Sequence, residues 1–179
     1  MGLAVGDYDL DGFLDLYMTN IGKNVLLRNI GDGLTFTNTA VEAGVALGNL
    51  WDEKRVTWGA MFFDYDNDGD DDLYVVTGFL QADDVRQHRP QPNVLLRNNG
   101  DGTFTDVSSA SGADDPVMGR GDAFLDFNNN GCPDLFVGNF GDKAGLFQNL
   151  CDSTNNWLAI NTVGTASNRD GIGARITVI

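Results

Sequence analysis

The chain has 179 residues, 42% hydrophobic and 10% aromatic, which suits a folded domain with a core rather than a disordered segment. Its formal charge of −15 comes from 26 acidic residues against 11 basic ones, and every acid except Glu42 and Glu53 is aspartate. Nucleic acid and anionic membranes are therefore not expected as partners unless cations intervene, and divalent cations are the natural counter-charge. Membrane insertion is not expected because no run of about 18 apolar residues exists.

The opening MGLAVGDYDL has neither a basic n-region nor an apolar h-region, so no secretory signal is expected within this chain. It reads as a short strand running into an aspartate loop, GDYDLDGFLDLYMTN from Gly6. The strands DLYMTN and NVLLRN follow, then a GDG turn and TFTNT. Each run is short, rich in Val, Thr, Phe and Tyr, and bounded by Gly, Asn and Asp. The series then repeats. FDYDNDGDDDLYVVTG begins at Phe63, and NVLLRNNGDGTFTDVSS begins at Asn93, 69 residues after its first copy. A third loop, LDFNNNGCPDLFVGN from Leu125, is followed by the weaker copy AGLFQN from Ala144. Units of about 60 residues with four short strands predict the blades of a β-propeller. Residues 1–150 are expected to hold them, at about 1–40, 57–108 and 120–150, the third blade being partial.

The three loops share one template, with an acid or amide at positions 1, 3 and 5, glycine at 6 and aspartate at 9. The first supplies Asp7, Asp9, Asp11 and Asp15, and the second Asp64, Asp66, Asp68 and Asp72. The third supplies Asp126, Asn128, Asn130 and Asp134. From this chain's own composition roughly 0.04 chance matches to the template are expected, against three found. Calcium takes six to eight oxygens, and side chains at 1, 3 and 5 converge on one point when glycine allows a sharp turn. Position 7 offers a backbone carbonyl, from Phe13, Asp70 and Cys132, so its side chain is free to vary. An EF-hand would need glutamate at position 12, where Met18, Val75 and Val137 stand in apparent strands. The aspartate at position 9 is then expected to close the coordination sphere. Metal-free acidic turns are the alternative, but four carboxylates within nine residues repel without a cation. Up to three calcium ions are predicted, the third site being the weakest because it carries only two carboxylates.

These residues carry a family likeness. The loops with their flanks, such as GAMFFDYDNDGDDDLYVV, resemble FG-GAP/VCBS repeats, the blades of integrin-type propellers. RNNGDGTFTDVSSASG, together with NNWLAINTVGTASNRDGIGARITV from Asn155, resembles the ASPIC/UnbV proteins, which include the cartilage acidic protein family. The resemblance implies a secreted or envelope-exposed calcium-binding protein without a catalytic reaction. Its partners would be extracellular proteins or glycans, and residues 155–179 would begin an ASPIC/UnbV β segment. It also implies that this chain is a part of a longer parent, which would supply the remaining blades and the signal peptide. A calcium-dependent carbohydrate-binding or polysaccharide-processing propeller is the second reading, with sugar on a rim formed by Trp51 and the inserted loop from Gly78 to Pro92. The lone His88 in that loop is expected to be solvated, and Trp58 and Trp157 to be core. Cys132 and Cys151 come to one rim if the third blade runs down, up and down, and either a disulfide or two free thiols fits.

Overall fold

The computed structural model describes residues 1–50, 53–80, 90–151, 154–166, 168–174 and 176. Its regular secondary structure is almost entirely short antiparallel strands, as the repeats predict. The first blade is a four-stranded sheet of β1 (Leu3–Gly6), β2 (Asp15–Met18), β3 (Val25–Asn29) and β4 (Phe36–Asn38), in that order. A two-residue ladder of β5 (Asn49–Leu50) and β6 (Glu53–Lys54) follows, between the stretches expected to hold the first two blades. The second blade repeats the first with β7 (Thr57–Phe63), β8 (Asp72–Thr77), β9 (Val94–Asn98) and β10 (Phe104–Asp106). One turn of helix, α1 (Ser108–Ser111), ends at Gly112 in the left-handed conformation. The third blade has three strands, β11 (Gly119–Leu125), β12 (Asp134–Asn139) and β13 (Gly145–Phe147).

The blades stack face to face through alternating side chains. Ala4, Tyr17 and Leu26, one cross-strand row of the first blade, meet Phe62, Leu73, Val75, Val94 and Leu96 of the second. The opposite face of the second blade, with Phe63, Tyr74, Val76 and Leu95, meets Leu135 and Val137 of the third. Every residue of β8 is therefore buried, and its middle, LYVV, is a continuous apolar run rather than an alternating one. The first strands of the blades lie side by side, β7 between β1 and β11. Glycine permits this approach: a Cβ on Gly59 would meet the Gly121 Cα at 3.1 Å and collide with the Asp122 carboxylate.

In the tail it is Trp157 that departs from expectation. No strand forms among its described residues, and Trp157, expected to be core, is more than half exposed, its indole lying against Gly131. A lone extended segment without a neighbour has no ladder to join. Trp58 is half-buried, its Nε1 donating to the Gly78 carbonyl at 2.7 Å beneath the Arg120 guanidinium. The ends of the inserted loop are anchored by Gln91, whose side chain accepts from Val56 N–H and donates to the Lys54 carbonyl. Residues 81–89, with His88, and residues 51 and 52, with Trp51, lie outside the described residues.

Candidate metal centres in the blade loops

Each loop joins the first two strands of a blade and folds around its own aspartates. The carboxylate at position 1 accepts from the position-6 glycine: Asp7 from Gly12 at 2.9 Å, Asp64 from Gly69 at 3.0 Å and Asp126 from Gly131 at 2.9 Å. Position 5 accepts two residues on, Asp11 from Phe13, Asp68 from Asp70 and Asn130 from Cys132. The position-6 glycines have φ of 91°, 95° and 88°, where a Cβ would be strained. Position 4 is also left-handed, at Leu10, Asn67 and Asn129. The template did not contain this feature. Asparagine at two of the three copies was its signal, since Asn tolerates that region, and Leu10 hid it.

The aspartate at position 9 is the most buried ligand candidate. Asp15, Asp72 and Asp134 are each fully inaccessible, and both carboxylate oxygens of each are engaged by the backbone. Asp72 accepts from Tyr65 at 2.9 Å and from Asn98 at 2.8 Å. Asp15 accepts in the same way from Tyr8 and Asn29, and Asp134 from Phe127 and Asn149. This side chain thus ties the start of its loop to the end of the third strand, a role that sequence reasoning did not assign.

The asparagine there also reaches the neighbouring blade. Asn98 Nδ2 donates to the Tyr8 carbonyl of the first loop at 2.8 Å, and Asn149 Nδ2 to the Tyr65 carbonyl of the second at 2.6 Å. Successive loops are therefore joined by one relay of hydrogen bonds. The repeated RN, RN and QN at the ends of these strands was its sequence signal.

In the first loop Asp7, Asp9 and Asp15 bring one oxygen each within 4.8 Å of one another, and Asp64, Asp66 and Asp72 do so in the second. Asp7 Oδ1 and Asp66 Oδ1 are buried with no hydrogen-bond partner among the described residues. A buried carboxylate oxygen facing two further carboxylates fits a hard cation. Burial pushes Asp15 up to about 6 and Asp72 up to about 8, and it also raises Asp64 and Asp66, with neighbouring carboxylates adding to each. Asp11 and Asp68 stand outside the two clusters; Asp11 pairs with the Arg28 guanidinium, which also holds Asp9 at 2.5 Å. Asp71, outside the template, is raised by burial and by Asp64 and Asp7, so it faces both loops.

The third loop forms no such cluster among the described residues. Asn130 Nδ2 donates to the Asn149 carbonyl at 3.0 Å, and a disulfide joins Cys132 to Cys151. Between the two pairings that the sequence left open, the structure has the disulfide. It closes a loop of separation 19, for which chain entropy gives about 3 kcal/mol. Reduction is expected to lower the melting temperature by several degrees, read by thermal melts with and without reductant. Alkylation of the unreduced protein should add no mass.

Comparison with known proteins places these loops in a recognised repeat. Residues 7–75 and 64–137 match the FG-GAP-like repeat. The chain is 41% identical over 80 residues to cartilage acidic protein 1 of Xenopus tropicalis, taking in 44% of this chain and 11% of that protein. It is 46% identical over 57 residues to the human cartilage acidic protein 1, covering 31% of the chain and 9% of the relative. The chain thus spans about a tenth of the length of the curated relatives it matches.

Proposed function

Because this chain belongs to the family of FG-GAP-like repeat proteins, we propose that it is a calcium-binding stretch of β-propeller in which the metal is structural. The unpartnered buried oxygens of Asp7 and Asp66 carry this reading. Asp7, Asp9 and Asp15 would hold one ion, and Asp64, Asp66 and Asp72 another, with the carbonyls of Phe13 and Asp70 as further oxygen donors. Asp126, Asn128, Asn130, Asp134 and the Cys132 carbonyl would form a third, weaker site. Bound calcium would neutralise the clustered carboxylates, among them Asp72, which burial pushes up to about 8. Its binding energy would add to folding, because the ligands converge only in the folded hairpin.

The module is read as non-catalytic, serving interaction with extracellular proteins or glycans. Its clustered acids are already used in fastening hairpins. The disulfide suits an oxidising compartment, and millimolar extracellular calcium suits weak loops. Further blades of the same kind are proposed to flank it. Tyr17 and Tyr74 are buried by the following blade, whereas Phe136 at the same repeat position is 43% exposed. Residues 155–179, with the SNRDGIGA stretch, are assigned to the beginning of an ASPIC/UnbV segment.

Calorimetry of calcium into chelator-treated protein tests the proposal. Two strong binding events and a third weak or silent one are expected, with a rise of about 10 °C in melting temperature. Absence of heat together with an unchanged melt would sink it.

A further inference from the structure

At the first blade junction the gap between blades is closed by β10. Phe104 N–H donates to the Ala43 carbonyl at 2.9 Å, and its ring, 9% exposed, packs 6.0 Å from that of Tyr8. One repeat later, Tyr65, Leu95, Leu135 and Phe147 stand where Tyr8, Leu26, Leu73 and Leu96 stand around Phe104. There they line an open slot of about 240 Å³, because no fourth strand follows β13 in this blade among the described residues. After Asn98 the chain turns through Gly100 and Gly102 into β10. After Asn149 it is tied back at Cys151 to Cys132, which carries it across the third loop instead. Ser111, the counterpart of Ala43, has a carbonyl that accepts no hydrogen bond among the described residues. The outer edge of β13 is likewise unpaired among them.

We propose that this slot receives a β-strand from a separate polypeptide segment, which pairs antiparallel with β13 and inserts a phenylalanine among Tyr65, Leu95, Leu135 and Phe147. The lining is continuous with the core between the second and third blades. Its volume exceeds the roughly 150 Å³ in which an apolar cavity holds benzene. The strand's backbone hydrogen bonds would supply affinity, and the aromatic pocket would supply specificity. The partner is thus an extended segment without proline at the pairing positions, carrying phenylalanine flanked by outward polar residues, as TFTD does in β10. This inference rests on the blade architecture and stands apart from the calcium reading.

A fluorescent peptide NNGDGTFTDVSS, residues 98–109 of this chain, is titrated into the full chain in calcium, followed by anisotropy and hydrogen exchange. Saturable binding with new protection of Gly145–Phe147 is expected, and the same peptide carrying Phe104→Ala should bind about tenfold more weakly or worse. Equal binding of the two peptides overturns the proposal. So does absence of binding, whether the slot is closed by the chain's own tail or by a second copy. Protection of β9 in place of β13 would mean strand exchange at the first junction, which overturns it as well.

Discussion

In calcium, Asp72→Ala is expected to lower stability by about 3–5 kcal/mol, a fall of roughly 10 °C in melting temperature. Asp72 is fully buried, and its two oxygens take the Tyr65 and Asn98 N–H groups. Alanine leaves the buried Asn98 N–H and the part-buried Tyr65 N–H without an acceptor and removes the carboxylate that completes the second cluster. Because Asn98 also donates to the Tyr8 carbonyl, the damage should spread to the first loop. Hydrogen exchange should therefore quicken at Asn98 first and at the first loop next. Asp32, an exposed turn aspartate, is the control, and Asp32→Asn should move the melt by less than about 0.5 kcal/mol. A variant of Asp72 that melts with the parent would show that the buried carboxylate is dispensable.

Without calcium, stability should fall as pH rises from about 4 to 8. Asp72 is raised to about 8 and Asp15 to about 6 in the fold, against an ordinary aspartate near 3.9. Between those values the folded state holds protons that the unfolded state has lost. Each step up in pH then favours unfolding, and Asp72 alone accounts for a loss on the order of 5 kcal/mol across the range. Calcium reverses the sign, since the metal requires the ionised form. Its affinity should climb with pH up to about 8, and at pH 7 binding should release close to one proton at the second loop. Calorimetry in buffers of different ionisation enthalpy reads that proton directly, and melts at pH 5 and pH 8 in chelator read the stability. A chelated protein that is more stable at pH 8 than at pH 5 would contradict the burial of Asp72.

The blades and their loops were legible in the sequence for a simple reason. A nine-residue loop closing on a cation needs oxygen donors at fixed spacing and glycine at the sharp turn, and the strands on either side need alternating apolar residues. Such requirements are local, so Asp7, Asp64 and Asp126 mark three loops without reference to the rest of the chain. The partial third blade was visible too, because AGLFQN is only a weak copy of the NVLLRN segments.

What remained hidden depended on neighbours distant in the chain. Leu10 takes a left-handed conformation that its side chain does not advertise, imposed by the loop around it. Asn98 and Asn149 join one blade to the next across some 90 and 84 residues of sequence, and only the stacked blades bring the carbonyls of Tyr8 and Tyr65 within their reach. The choice between thiols and a disulfide was open until Cys132 and Cys151 stood 5.8 Å apart at Cα. Trp157 reads as a core residue by its apolar surroundings in sequence, yet no sheet among the described residues accepts its segment. The sequence by itself therefore determined the repeat, the strands and the candidate ligands, whose constraints lie within one hairpin. Tertiary structure alone decided which carboxylates are buried, how the loops are coupled and where a strand is wanting, because those depend on which faces the packed blades cover.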